Sequence, residues 1–304
     1  MPVTQIFNLR TGPLHEKITI RLDIENMTQS KNSSELRIIE TFRRTDPAGQ
    51  PKWLSSLRNA GIGAFAELGF PTLRDEDWRF TNIAPIAALP FEPARAAAVN
   101  GAESSLLGQA VFSGLPGCRL VFVNGFFSTR LSRLQDIPGG VTVDSLSAGL
   151  GRDAARIERH LGKYARISDN AFAALNQAFF TDGAFIDVPQ GVAIAEPIQV
   201  VYISSVKQAG ETVQPRNLII AGANSRATIV ESYLSTGDTA SFTNAVTEII
   251  AGEGAVVEHV KLQDETGNAF HMATIAGEFG RASNVNVHSF ALGSKLSRNN
   301  IASE

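Results

Sequence analysis

The chain has 304 residues, 43% of them hydrophobic and 19% charged, with a formal net charge of −3. That composition supports a large folded core and excludes wholesale disorder, and no block of like charge marks nucleic acid or an anionic membrane as the main partner. No uncharged apolar run approaches the roughly 20 residues of a membrane helix, no secretory-type leader opens the sequence, and one cysteine, Cys118, forbids an internal disulfide. The expected location is the cytoplasm.

Residues 1–50 read as an extension, largely mobile. Ile18, Ile20, Leu22 and Ile24 alternate with Thr19, Arg21 and Asp23, the period of one half-buried strand. The polar run from Thr28 to Ser34 reads as the leader of a chain that starts at Met27, with Met1 as the other start. Residues 51–115 form a helical N-terminal domain. After Pro51, the residues Trp53, Leu54, Leu57, Ala60, Ala64, Phe65 and Leu68 share one helix face, and Gly69 with Pro71 ends the run. Gly61 and Gly63 each cost up to about 1 kcal/mol against alanine, so a break is expected there. Thr72 to Asp75 resembles a capping box before a turn through Trp78, and 103–112 reads as a further short helix.

Residues 116–304 read as the strand-rich core, with a helical insertion at about 152–181. Arg119 to Val123, then Asn124-Gly125, then Phe126 to Leu131 predicts a hairpin whose turn has positive φ at both central residues. Helices are expected at 153–161 and 168–180, the second with Phe172, Leu175 and Phe179 on one stripe. Strands resume at 185–188 and 198–204. From Arg216 onward one pattern recurs. Ile220-Ala221-Gly222, Ile250-Ala251-Gly252 and Ile275-Ala276-Gly277 each end an apolar run at a glycine, and a second β-rich run follows each. Repeats of this length mark stacked strand–turn–strand units, here the coils of a β-helix with glycines at its corners; a sandwich of hairpins is the competing reading. Neither face of these strands is cleanly polar, since Ile229 adjoins Val230 and Val256 adjoins Val257, which implies burial on both faces or a partner on one.

Chemistry is sparse. No phosphate-binding glycine loop, nucleophile elbow or His-Glu-x-x-His motif is present. His259, His271 and His288 would make a metal site if successive coils stacked them in a row, but their spacing matches no metal motif and the plainer reading is buried histidines satisfied by backbone. Cys118, at the head of a strand, reads as a core thiol before it reads as a ligand. Glu76 and Asp77 beside Arg79 read as charges on a helix's first turn before they read as an acid–base pair. Glu231, Glu248 and Glu258 are expected to be exposed and are the candidates to line a groove. No set of Asp with Arg or Lys assembles into the catalytic groove of a polysaccharide-active β-helix, so no catalytic, cofactor-binding or metal residue is assigned.

Arg58 and Phe65, Leu68-Gly-Phe-Pro-Thr-Leu-Arg74, Asp75-Glu-Asp-Trp-Arg-Phe-Thr-Asn82, Arg119-Leu-Val-Phe-Val-Asn-Gly125, Ser168 to Gln177 and Asp182 to Pro189 together are similar to the SufB/SufD family of the SUF iron–sulfur cluster assembly machinery, with N-terminal motifs of the SufD type. The resemblance covers about residues 51–304, including the repeats from Arg216 to Asn300. It implies a helical N-terminal domain before a right-handed parallel β-helix, and a non-catalytic scaffold subunit that pairs with its paralogue SufB. In full-length relatives it also implies a helical C-terminal domain that holds the SufC ATPase. The cluster is expected to form transiently between subunits, and this chain alone to bind no cofactor, flavin included. The chain ends at Glu304 within the repeat array, so SufC docking is expected to be lost and a homodimer through the unfinished end is an open expectation. The family's interfacial histidine belongs to a part not represented here, so it confers no role on His259, His271 or His288. Two other readings stand beside this one: a metal-binding solenoid using the histidines and Cys118, and a β-helix polysaccharide enzyme.

Overall fold

Helices form where apolar residues recur at helical spacing, and most of those described pack on the outer face of one sheet of a strand stack, while the helix at 101–109 lies over the other sheet. The computed structural model describes residues 32–45, 49–97 and 99–303. The strand expected at 18–24 and the Met27 start lie outside the described residues. Part of the expected extension is helix: α1 (Ser33–Thr45) buries Ile38, Ile39 and Phe42, and Glu35 in its first turn accepts the Phe70 N–H at 3.2 Å. Its apolar stripe is short and lies among Arg37, Glu40, Arg43 and Arg44, which hides it in the sequence.

The second helix, α2 (Lys52–Leu68), runs unbroken through Gly61 and Gly63. A Cβ on Gly61 would stand 2.7 Å from the backbone nitrogen of Ala178, whereas one on Gly63 meets nothing within 4 Å. Gly61 is therefore there for close approach between helices and Gly63 is not. After a 3₁₀ turn at Glu76–Trp78 come α3 (Ala84–Ala87), the two-residue strand β1 (Glu92–Pro93) and α4 (Gly101–Gln109), which carries a capping box between Asn100 and Glu103.

The strand part begins with β2 (Arg119–Val123) and β3 (Phe126–Phe127), an antiparallel hairpin whose turn residues Asn124 and Gly125 have φ of 53° and 82°, as the sequence predicts. The helical insertion starts earlier than expected: β4 (Thr142–Ser145) leads directly into α5 (Leu146–Arg152), α6 (Ala154–His160) and α7 (Ala171–Phe179). Every residue of α7 is buried. It is wedged between α2 and the outer face of the strands, so Phe172, Leu175 and Phe179 join Phe65, Phe242, Phe270 and Met272 in one cluster. Each such side chain contributes about 1.5–3 kcal/mol by leaving water.

The remaining strands are β5 (Ala184–Val188), β6 (Ile198–Ser204), β7 (Glu211–Val213), β8 (Arg216–Ala221), β9 (Arg226–Ser235), β10 (Phe242–Ala251), β11 (Val256–Asp264), β12 (Phe270–Phe279), β13 (Asn284–Ala291) and β14 (Leu296–Ser303). From β5 onward the chain passes back and forth between two sheets of parallel strands, with the consecutive strands β7 and β8 both in sheet A beside β10. β5, β8, β10, β12 and β14 stack in sheet A, and β6, β9, β11 and β13 continue from β2 in sheet B. This is a parallel β-solenoid of about four turns, and the sandwich of hairpins is excluded.

The register corrects one repeat. Ile220 lies beside Ile250 and Ile250 beside Glu278, so successive coils are 30 and 28 residues long. The third corner is therefore Gly280, not Gly277. The N–H groups of Gly222, Gly252 and Gly280 bond to Val188, Ala221 and Ala251 of the coil before, and each glycine carbonyl accepts the N–H three residues on. These corners are glycine because of close approach: a Cβ on Gly252 would lie 2.6 Å from Ala223 N. Positive φ falls two residues later, at Asn224, Gly254 and Ala282. Gly277 is in mid-strand, where a Cβ would meet the Ile249 carbonyl at 2.1 Å.

Candidate functional site

Alternation in the strands decides what the lumen between the sheets contains. Ala227, Ile229, Glu231 and Tyr233 of β9 face inward, and beside them stand Val257, His259, Lys261 and Gln263 of β11. The half of the lumen near the glycine corners is apolar, filled by Ala221, Ala251, Ala255, Val257 and Ile249. The other half holds a buried polar cluster. Glu231 accepts from Thr247 Oγ1 at 2.9 Å, from His259 Nε2 at 2.8 Å and from the Tyr233 hydroxyl. Thr247 in turn accepts from Asn217, which receives the Ala184 N–H and the Tyr202 hydroxyl. Glu265 accepts from Thr243 Oγ1 at 2.6 Å, from Gln263 Nε2 at 3.0 Å and from His271 Nδ1 at 2.7 Å. Stacked rings of Phe122, Tyr202 and Tyr233, with centroids 4.9 and 5.1 Å apart, run through three coils, and His271 meets Tyr233 edge-on at 4.7 Å.

Burial alone would raise the Glu231 carboxyl, but the hydrogen bond and charge of His259, the Tyr233 hydroxyl and Lys261 outweigh it and hold the group at about 2. Burial pushes the Lys261 ammonium down, partly offset by Glu231 and Glu265, and the ammonium sits 5.1 Å from the Tyr233 ring. Burial, reinforced by Lys261, also pushes the His271 imidazole down, opposed by the Glu265 carboxylate 2.7 Å from its Nδ1. His259 Nδ1 and His271 Nε2 are buried without a partner. The cluster fastens neighbouring coils together and is closed to solvent.

A second buried network lies on the outer face of sheet A. Glu248 accepts from the N–H groups of Gly162, Tyr164 and Ala165 at 2.8, 2.9 and 3.2 Å, and from Arg216 Nη2 at 2.9 Å and Nε at 3.2 Å. Arg216 also donates to Asn176 of α7 at 3.1 Å, and Asn176 donates to the carbonyls of Pro215 and Asn244. One fully buried ion pair thus ties the loop after α6 and the helix α7 to the strands.

These positions overturn several sequence expectations. Glu231 and Glu248 are not exposed and line no groove; they are 1% and 0% exposed, because their polar side chains lie in phase with inward or helix-covered apolar neighbours. Glu258 alone of the three stays on the outer surface, with His288 at 3.5 Å and Asn286 at 2.7 Å. The three histidines do not form one row. His259 and His271 face the lumen against different glutamates, their partners being carboxylates and not backbone, while His288 points outward. Among the described residues no group of three or more His, Cys, Asp or Glu is arranged to hold a metal ion. Cys118 is a core thiol whose pKa burial raises. Glu76 and Asp77 are exposed in the 3₁₀ turn, and Arg79 lies over Phe80, 5.4 Å from its ring.

The sequence matches the SufBD protein N-terminal region over residues 33–200 and the SufBD core domain of SUF-system FeS cluster assembly over residues 202–304. The chain belongs to the SufBD family. Among its relatives, the SufBD family protein slr0076 of Synechocystis is 33% identical over 258 residues, covering 82% of this chain and 56% of that protein. SufD of Escherichia coli is 25% identical over 239 residues, covering 78% of this chain and 52% of SufD. SufB of Bacillus subtilis is 29% identical over 136 residues, covering 44% of this chain and 29% of SufB. The chain spans about half the length of the first two. No described helix is long and apolar enough to cross a membrane. The residues that sequence reasoning missed are Tyr233, Lys261, Gln263, Glu265, Arg216 and Asn176. For Tyr233, Lys261, Gln263 and Glu265 the signal was phase, a polar residue standing every second place in line with inward apolar ones; Arg216 shares the helix-covered phase of Leu218 and Ile220, and Asn176 lies on a helix.

Proposed function

We propose that this chain is a non-catalytic, SufD-like scaffold subunit of cytoplasmic iron–sulfur cluster assembly, which pairs through its solenoid with a SufB-type paralogue. The cluster is the cargo of that pair and not a resident group of this chain. The observation that carries the reading is the direction of the chemistry. The acids, lysine and histidines of the core are spent on one another inside a packed lumen, so the outer surface is what the protein offers. Membership of the SufBD family and a relative named SufD support the same reading. On sheet B the outer face beyond β9 carries half-buried Val256 and Val260 and exposed Phe290, the kind of surface another protein covers. A polysaccharide-active groove would need convergent exposed carboxylates, and Glu231 and Glu248 are buried. Co-purification of the tagged chain from its host is the test. A SufB-type subunit recovered in near-stoichiometric amount is expected, and the same eluate reads whether SufC accompanies it. Recovery of the chain free of any SufB-type subunit would overturn the proposal.

A further inference from the structure

Arg119 opens β2 and stands on the outer face of sheet B, where it is partly buried. Arg133 lies directly opposite: the two residues exchange backbone hydrogen bonds, Arg119 N to Arg133 O at 2.6 Å and Arg133 N to Arg119 O at 2.7 Å. An antiparallel pair of this kind puts both side chains on one face within reach of each other, and like charges so placed repel. Burial and then the Arg133 charge lower the Arg119 guanidinium, with no acidic group opposing them. Among the described residues no carboxylate pairs with either arginine; the arginine ion pairs there belong to Arg44, Arg152, Arg156, Arg166 and Arg216.

Their donors go to uncharged oxygens. Arg133 gives Nε and Nη2 to the Gly117 carbonyl at 3.1 and 2.6 Å, and Nη2 also reaches the Leu115 carbonyl at 3.4 Å. Arg119 has only a 3.5 Å contact from Nη1 to the Ser113 carbonyl, and its Nε–H is buried with no acceptor. The loop supplying these carbonyls is fixed in turn by Gln199, beside Arg119 in the sheet, whose Nε2 donates to Leu115 O at 3.1 Å. Two arginines therefore stand opposite each other on one face of the bridge, with no protein acceptor among the described residues for Arg119 Nη2 or Arg133 Nη1.

We propose that the Arg119–Arg133 pair is an oxyanion-binding site on the outer face of sheet B, taking a phosphate or carboxylate group between the two guanidiniums. Such a group supplies the missing acceptors and removes the repulsion, the role for which paired arginines suit planar or tetrahedral oxyanions. The test titrates the full chain with inorganic phosphate, and separately with acetate, at constant ionic strength balanced by chloride. At least one of the two is expected to bind at one site per chain and to raise the melting temperature; which one binds identifies the source of the oxyanion. Arg133→Gln, at an exposed position, is expected to weaken that binding about tenfold, while Lys163→Gln on the helical side leaves it unchanged. Neither anion acting beyond chloride would overturn the site, as would Arg133→Gln binding as tightly as the parent.

Discussion

Replacing Glu248 by Gln tests how the helical part is held to the solenoid. Glu248 is fully buried and accepts three backbone N–H groups and two Arg216 donors. The amide keeps the shape but leaves the Arg216 guanidinium as an uncompensated buried charge, a loss of about 3–5 kcal/mol. It also turns an NH₂ toward N–H donors, and each orphaned donor costs about 1–3 kcal/mol in a manner not additive with the first. A loss of at least about 3 kcal/mol is a large share of a net stability of about 5–15 kcal/mol. In urea unfolding followed by circular dichroism, Glu248→Gln is expected to lower the transition midpoint accordingly. Adding Arg216→Met removes the stranded charge, so the double variant recovers part of the loss and falls short of the sum of the two single changes. If Glu248→Gln lay within about 1 kcal/mol of the parent, the ion pair would not be the tie described above.

The two glycines of α2 separate close approach from flexibility: Gly63→Ala gains up to about 1 kcal/mol, while Gly61→Ala loses stability because its Cβ would meet Ala178 N at 2.7 Å. Thermal unfolding of the two variants reads the opposite signs, and equal shifts would refute the packing argument. At the coil corner, Gly252→Val forces Cβ to within 2.6 Å of Ala223 N and is expected to cost about 1–3 kcal/mol or more, as overpacking does; a neutral result would mean the corners do not stack. Acid acts on the lumen with a defined sign. Glu231 has a folded pKa held at about 2 against an ordinary 4.5, so its contribution is present above about pH 4.5 and is lost as pH falls toward 2. His271, lowered from 6.5, adds a loss that begins as pH falls through its unfolded value, because the unfolded imidazole takes up the proton first. Asp182, raised by burial to about 6, works the other way between about pH 6 and 3.8. Stability against pH is expected to fall less steeply below pH 4.5 in Glu231→Gln than in the parent, and parallel curves would contradict the assignment.

Much of the fold is legible in the sequence, and the misses have physical causes. Asn124-Gly125 specifies its turn because two consecutive residues need positive φ. Ile220-Ala-Gly and Ile250-Ala-Gly align because those coils are in register. The third copy misled because the same letters recur 25 residues on, at Ile275 in mid-strand, while the coil is 28 residues long and puts its corner at Gly280. Helix α1 was missed because three buried apolar side chains are too few to outweigh the charges of Arg37, Glu40, Arg43 and Arg44 around them. The histidines could be picked out, but not their partners: Glu231 reaches His259 across one coil and 28 positions of sequence, a distance that only the register fixes. For the same reason the glutamates read as surface groups, since a carboxylate in a β-rich run is solvated unless something specific is built around it.

On the proposed reading, this solenoid acts by being bound and not by turnover. Sedimentation velocity on the purified chain mixed with a purified SufB-type subunit at micromolar concentration measures that directly. A single faster boundary with the mass of a one-to-one pair is the expected result, and two boundaries that sediment as the separate proteins do would contradict it.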